Sequence, residues 1–192
     1  MMLCVVHNSI QFLVLWEIMA LSSFFLVIYE SEKPDTIKAG LNFFIQSHVS
    51  VVLLTAGFMI IAARTGSYDF AAIPRYCRMC NATPAFLLLF AGFAVKAGFV
   101  PFHTWLPYAH PAAPAHISGV MSGVIIKIGI VGILRMTSYF SIDFVAAGAV
   151  ILAISAVSGL YGVMMAIMQH NRKKLLAYHS IENIGIIGMG IG

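Results

Sequence analysis

The sequence has 192 residues, of which 60% are hydrophobic and only 9% are charged, and its mean hydropathy is +0.94. An ordinary soluble domain is about one quarter charged, so this chain has too little polar surface to cover a soluble core. The composition therefore excludes a soluble domain and indicates a polytopic membrane protein. The net charge of +4 is assigned to basic loops at the membrane surface and gives no reason to expect nucleic-acid binding.

Six stretches are long and apolar enough to cross a membrane, since a crossing helix needs about 20 mostly apolar residues. The predicted fold is an all-α helical bundle of about six transmembrane helices, and residues 1–192 form a single membrane domain. Lys and Arg number five in connectors 29–39, 102–114 and 169–174 against four on the other side, which is too even to fix the orientation. The predicted spans are roughly 3–28, 40–63, 82–101, 115–136, 142–168 and 173–192.

Four charged residues lie away from the ends of the predicted spans: Glu17, Lys96, Lys127 and Glu182. Each costs about 2.5–3.5 kcal/mol at membrane depth on insertion scales, so we expect them to be paired, hydrated or both. They could form two buried ion pairs that only hold helices together, although such pairs are weak stabilisers. Two acids and two lysines at similar depth favour the other interpretation, a relay of ionisable groups.

The stretch FAVKAGFVPFHTWLP, residues 93–107, places Lys96 just before an expected helix break. Pro101 has no N–H and crowds the carbonyl four residues earlier, and Gly98 loosens the same turn. The helix is predicted to break within 97–107, which leaves Lys96 near a half-helix C-terminus, where a cation is favoured. Broken helices at membrane depth are buried in protein or line a wet cavity, and they commonly mark ion paths.

Histidines follow the break at His103, His110 and His116. Their spacing is not a recognised metal pattern. Histidine titrates near neutral pH, so these side chains could gate proton movement at the broken helix, or they could only hydrogen-bond a proline-rich loop.

In the last predicted span, Tyr178 and His179 lie close enough along the helix to reach Glu182. This adds His179 and Glu182 to the proton-transfer candidates. The alternative is an ordinary hydrogen bond between the imidazole and the carboxylate.

Cys77 and Cys80 form a C-x-x-C pair in a polar connector. A tetrahedral zinc site needs four ligands, so the pair alone is a weak metal or redox signal. We interpret the two as loop thiols, which an oxidising compartment would join as a disulfide. We predict no metal site.

Three segments together resemble a known family. They read LWEIMALSS, KAGFVPFHTWLPYAHPAAPAHISGVMSGVIIKIGIVGILR and NRKKLLAYHSIENIGIIG. The combination resembles the proton-pumping antiporter-like subunits of respiratory complex I, Mrp antiporters and membrane-bound hydrogenases. The run AYHSIENIG is most similar to the formate hydrogenlyase and hydrogenase-4 component B branch.

The resemblance implies a fold of two inverted helical repeats, each with a broken helix. This chain would hold most of the first repeat and the start of the second, so further helices are expected before and after it. Glu17 and Lys96 would be the acid–lysine pair, Lys127 the central channel lysine and Lys173 the basic residue that opens the next helix. The family carries an acid where Tyr108 stands, so the proton-uptake role of that position is not carried over.

The resemblance also implies that connectors 29–39, 102–114 and 169–174 face the cytoplasm of a prokaryotic cell, with the chain in its inner membrane. The function expected is a proton-translocating subunit of a hydrogenase or dehydrogenase complex. The sequence has no haem-ligand pair, four-cysteine cluster or nucleotide loop, so we expect no cofactor in this chain. Electron transfer would take place in peripheral redox partners, held with other membrane subunits in the lipid bilayer. The alternatives are a non-conducting truncated scaffold and a sodium/proton antiporter subunit.

Overall fold

The computed structural model describes residues 2–30, 32, 34–140 and 144–192, and these residues form an all-helical bundle. A 3₁₀ turn lies at each of Phe70–Ala72 and Phe102–Trp105, and a π-helical turn lies at Met121–Ile125. The α-helices are α1 Met2–Val5, α2 Ser9–Val27, α3 Pro34–Thr65, α4 Ile73–Met79, α5 Thr83–Ala97, α6 Leu106–Ala112, α7 Ala115–Val120, α8 Ile126–Tyr139, α9 Phe144–Ile167 and α10 Arg172–Met189.

Five helical segments of the described chain are long and apolar enough to cross a membrane, and they confirm the prediction of an all-α polytopic bundle. The sixth predicted span is helix α10, whose three basic residues at positions 172–174 and whose Glu182 make it more polar than the others. The predicted start of the fifth span, at 142, lies outside the described residues. The five segments are Ser9–Val27, Asp35–Thr65, Thr83–Ala112, Ala115–Tyr139 and Ala147–Ile167.

The first span begins later than the sequence predicts, at Ser9 instead of residue 3. The side-chain oxygen of Asn8 accepts hydrogen bonds from the backbone N–H groups of Ile10 (3.0 Å) and Gln11 (3.4 Å). Such a cap satisfies donors that have no partner within the helix. Helix α2 therefore starts at a local signal that a count of apolar residues does not register.

Helix α3 is longer than the predicted span 40–63, because its first two turns come from the polar connector 29–39. It starts at Pro34, and proline is well suited to the first helical position. As a consequence, the polar side chains near its start are held on a rigid helix rather than on a loop.

The predicted helix break within 97–107 is confirmed. Helix α5 ends at Ala97, and Gly98 follows in the left-handed region with φ +81°, a conformation that glycine adopts without a steric penalty. The freed backbone groups find side-chain partners: the indole N–H of Trp105 donates to the carbonyl of Val95 (2.9 Å), and the N–H of Val100 donates to Ser158 Oγ (2.9 Å). Side chains therefore replace some of the helical hydrogen bonds that are lost at the break.

Helix α8 packs against α5 at Gly129, where the two backbones nearly touch. A Cβ atom added at Gly129 would lie 2.8 Å from the amide nitrogen of Ala97 and 2.9 Å from the carbonyl oxygen of Phe93. Both are backbone atoms, so neither can move aside cheaply. This contact fixes how α8 is rotated with respect to the helix that carries Lys96.

We expect Gly129→Ala to destabilise the bundle by about 1–3 kcal/mol, the usual cost of overpacking a tight contact. Thermal unfolding of the detergent-solubilised chain would measure it. Gly119→Ala is the matched control, since a Cβ there meets no atom of the described chain within 4 Å. Equal melting temperatures for the two variants would contradict the close contact.

Candidate functional site

Lys96 lies in the last turn of α5 and is almost fully buried, with 1% of its surface exposed. Its ammonium nitrogen donates a hydrogen bond to Ser47 Oγ (2.9 Å) and lies 4.3 Å from the centre of the Phe43 ring. Both partners belong to α3. The buried amine is therefore held between a hydroxyl group and an aromatic face, which attracts a cation.

Glu17, on α2, is the acid that the family resemblance pairs with Lys96. Its charge acts on Lys96, but among the described residues no ion pair joins the two side chains directly. The carboxylate instead faces His48, with 3.7 Å between Glu17 Oε2 and His48 Nε2. The implied acid–lysine pair thus interacts through space, and a histidine occupies the direct contact with the acid.

His48 is a functional candidate that the sequence did not reveal. The predicted span put it near a helix end, whereas α3 extends well beyond it on both sides. Its Nδ1 bonds the carbonyl of Phe44 (3.0 Å), which leaves Nε2 free to face Glu17. No sequence signal indicates this role, because only the packing shows that Ser47 contacts the lysine and the next residue faces the acid.

Lys127 is exposed and points away from Lys96. Gly129 faces α5, and two positions along a helix correspond to a rotation of about 200°, so the Lys127 side chain leaves α8 on the far side. Its Nζ donates to the carbonyl of Ser122 (2.9 Å), which lies in the π-helical turn Met121–Ile125. Such wide turns interrupt the regular helical ladder and are frequent at functional sites.

His179 and Glu182 meet on α10, with 2.6 Å between Nδ1 and Oε2. Both side chains remain partly exposed, His179 at 48% and Glu182 at 23%. Tyr178 is not part of this contact; its ring lies 6.3 Å from that of Tyr161 on α9.

A serine pair connects the surroundings of Lys127 to α10. Ser122 Oγ lies 3.1 Å from Ser180 Oγ, and Ser180 directly follows His179 in the chain. Lys127 bonds Ser122, and His179 adjoins Ser180 and bonds Glu182; we call these three partly exposed ionisable residues, Lys127, His179 and Glu182, the open face. The buried site at Lys96 lies on the opposite side of α8.

The three histidines that follow the break occupy separate environments. His103 is buried with its ring edge-on to Tyr161 (4.6 Å), and its Nδ1 has no hydrogen-bond partner in the described chain. His110 is also buried and bonds Ser118 Oγ (2.7 Å from Nδ1). His116 is exposed. The structure therefore does not bring these side chains together.

Lys173 joins α10 to the second half of the broken helix. Its Nζ donates to the carbonyls of Pro111 (3.2 Å) and Ala113 (3.0 Å) at the end of α6. A lysine at the last carbonyls of a helix is favourable because these groups have no partner within the helix. This contact holds α10 against the break.

A surface pocket of about 840 Å³ lies where three polar connectors meet. The connectors are 29–39, 102–114 and 169–174, so they share one end of the bundle, as the family resemblance requires. Tyr108 is 61% exposed at this pocket. We call it the connector pocket; it is lined by Glu30, Asp35, Thr36, Lys38, Ala39, Asn42, Pro107, Tyr108, Pro111, Ala112, Lys173 and Lys174.

Cys77 and Cys80 are free thiols in the structure, and the described residues contain no group of three or more His, Cys, Asp or Glu that could hold a metal ion. We predict that replacing both with Ser leaves assembly and transport unchanged. Titration of the denatured chain after reduction should count three thiols, Cys4 included. Bound metal that is lost in the double variant would contradict this interpretation.

The contact between Ser47 and Lys96 can be tested with a double-mutant cycle. We expect Ser47→Ala to destabilise the chain by about 1–3 kcal/mol, because it leaves a buried charged donor without its hydrogen-bond partner. In a Lys96→Met background the same change should cost much less, because the donor is gone. Thermal unfolding in detergent measures both steps, and additive effects would show that the two side chains do not interact.

Comparison with known proteins places this geometry in a family. Residues 7–192 match the family described as NADH:quinone oxidoreductase/Mrp antiporter, transmembrane. Hydrogenase-4 component B of Escherichia coli K12 is 42% identical over 99% of the chain, and formate hydrogenlyase subunit 3 of the same organism is 32% identical over 98%. The chain spans only 29% and 30% of the length of these two relatives.

The fold itself recurs in a solved structure. A subunit of the membrane-bound sulfane sulfur reductase, an archaeal respiratory membrane complex, matches 96% of this chain and 39% of its own length with a TM-score of 0.86, at 22% identity. The family match, these relatives and the five apolar helices agree on a multi-pass membrane protein. The chain belongs to the NADH:quinone oxidoreductase/Mrp antiporter family of membrane subunits.

Proposed function

We propose that this chain is the central part of a proton-translocating membrane subunit in a hydrogenase or dehydrogenase complex of a prokaryotic inner membrane. Two relatives that match nearly the whole chain are named as components of hydrogenase-4 and formate hydrogenlyase. Other membrane subunits would flank it, and peripheral redox subunits would carry the electrons. Protons would move through Glu17, Lys96 and Lys127.

The main support for the proposal is the hydrogen bond between the buried Lys96 and the hydroxyl of Ser47. A lysine that only cross-links helices would be expected to meet a carboxylate directly, because an unpaired buried charge is costly. Lys96 meets the hydroxyl of Ser47 instead. A serine hydroxyl both accepts and donates hydrogen bonds, so it can partner the amine with or without its extra proton. The site therefore accommodates both states of a proton carrier.

Glu17 and His48 supply a means of controlling that carrier. The carboxylate acts on Lys96 through space and is itself within 3.7 Å of the imidazole of His48. A proton or positive charge that moves toward Glu17 from the His48 side weakens the attraction between Glu17 and Lys96, and Lys96 then releases its proton more readily. His48 has 42% of its side chain exposed at the outside of the bundle, where an event in a neighbouring subunit can reach it.

Lys127 would receive the proton on the other side of α8. Its exposure is unusual for a charged group at membrane depth, since intramembrane charges face a bundle interior or a water-filled cavity. The relatives are about three times longer than this chain, so we propose that further helices of the same protein cover the open face. The surroundings of Lys127 would then match those of Lys96 in being enclosed and polar.

The scaffold alternative predicts a different outcome for Lys127. If Glu17 and Lys96 only hold the bundle together, the removal of Lys127 leaves proton movement unaffected. A sodium/proton antiporter would depend on Lys127 but would need a sodium gradient. One variant, assayed with and without sodium, therefore separates the three functions.

We expect the Lys127→Met variant of the intact protein, assembled with its partners, to lose most proton translocation. Assembly should be preserved, and the rate of electron transfer should be normal or lower. The reason is that methionine keeps the length of the side chain but cannot carry a proton. Proton uptake into inverted membrane vesicles during electron transfer measures the effect.

Arg75→Met is the matched control, since it removes one exposed cation on α4, outside the spans. It should translocate protons like the unmodified protein. Full translocation by a well-assembled Lys127→Met complex would reject the relay and leave the scaffold function standing.

A further inference from the structure

A row of polar side chains runs along α3 from the connector pocket toward Lys96. Asn42 lines the pocket, and its Oδ1 accepts a hydrogen bond from Gln46 Nε2 (3.2 Å) one turn further along. The Gln46 amide also donates to Thr104 Oγ1 in the broken-helix region. The next residue, Ser47, holds the Lys96 amine. We call Asn42, Gln46, Thr104 and Ser47 the polar row.

The α3 members of the polar row lie beside the lipid side of that helix and become more buried toward Lys96. The outer face of α3 is an apolar stripe with the same four-residue spacing: Ile37, Leu41, Ile45 and Val49 are all between 44% and 60% exposed. Thr104 is exposed, Asn42 and Gln46 are half-buried beside the stripe, and Ser47 is buried. A polar group that is withdrawn from water in this way must find a partner to offset its desolvation.

Support of the helix break explains only part of this arrangement. Asn42 Nδ2 also donates to the carbonyl of Thr104 (3.5 Å), a bond that helps to satisfy the broken helix. One such side chain would be enough for that purpose. At one end Gln46 is followed in the chain by Ser47, which bonds the buried amine of Lys96, and at the other end Asn42 lines a pocket with the acids Glu30 and Asp35 on its wall.

The chemistry of the polar row suits proton movement. Amides and hydroxyls both donate and accept hydrogen bonds, and none of the four side chains titrates near neutral pH, so none retains a proton. Polar groups of this kind hold bridging waters at little cost. The pocket lining holds two acids and three lysines, Lys38, Lys173 and Lys174, so its formal charge does not favour a cation, and the case for the route rests on the polar groups.

We propose that the connector pocket and the polar row form the proton-uptake route to Lys96. A proton from bulk water would pass along waters held by Asn42, Gln46 and Thr104 and bind the neutral amine of Lys96, which becomes the ammonium donor to Ser47. The family resemblance implies an acid at position 108, where this chain has Tyr108. The proposed route would bring protons to Lys96 without an acid at that position. The inference rests on the proposed function, but access of water along the polar row can be tested without any transport.

Water access is tested by thiol labelling. In a background with Cys4, Cys77 and Cys80 replaced by Ser, the variants Asn42→Cys and Gln46→Cys are treated with a membrane-impermeant, positively charged methanethiosulfonate. The reagent is added to vesicles of each orientation in turn. The controls are Ile45→Cys and Val49→Cys, at the same depth on the apolar stripe of the same helix.

We expect the thiols of Asn42→Cys and Gln46→Cys to react from the side of the connector pocket only. The two control thiols should react about a hundredfold more slowly, because apolar surroundings exclude a charged reagent. A Gln46→Cys thiol that reacts no faster than that of Ile45→Cys would overturn the route.

Transport by the assembled complex provides the second test. Gln46→Leu, which keeps the side-chain volume but removes the amide, should lose most proton translocation, and Gln46→Asn should retain it. Unchanged proton translocation in Gln46→Leu would overturn the route, even if the thiol of Gln46→Cys reacts with the reagent. If the unmodified complex translocates no protons, the proposed function is rejected instead. The difference in labelling rate between the polar-row thiols and the control thiols would still show whether water enters along the polar row.

Discussion

The structure is organised around one buried amine. Lys96 must be kept inside an apolar bundle, and such a group is tolerated only if it is hydrogen-bonded and electrostatically compensated. Ser47 supplies the hydrogen bond, Phe43 the aromatic face and Glu17 the opposite charge. The end of α5 directly after Lys96 adds the carbonyl end of a helix, which favours a cation. The break, the long α3 and the position of α2 can all be understood as parts of this compensation.

The same packing that buries Lys96 separates it from Lys127. The backbone contact at Gly129 turns the lysine of α8 away from α5, so the two amines lie on different sides of one helix. In the proposed relay, transfer between them would require water or a movement, and the π-helical turn beside Lys127 is a place where the regular hydrogen bonding of the helix is already interrupted. A barrier between two proposed carriers would be useful in a pump, because a continuous proton wire would let protons flow back.

Local sequence signals predicted the features that are determined locally. Pro101 and Gly98 fall within four residues of each other and together favour a helix end, so the break was found correctly, as was the helical reach from His179 to Glu182. His48 and the polar row were missed because a histidine or an uncharged polar residue inside an apolar span does not indicate which side it faces, and only tertiary packing shows that Asn42 and Gln46 turn toward Thr104. The sequence also did not reveal that Glu17 faces His48 and not Lys96. This depends on packing, because the partners of Lys96 lie on α3 and Glu17 lies on α2.

The open face follows from the same rules as the buried site. Lys127, His179 and Glu182 are ionisable groups with exposed surface at helix positions where a bilayer would meet them. Their exposure costs too much for lipid to be the lasting neighbour. The contact between Ser122 and Ser180 joins the π-helical turn before α8 to α10 through polar groups. In the proposed function, the open face is half of an internal polar site: α3 completes the buried half at Lys96, and a further helix would complete the half at Lys127.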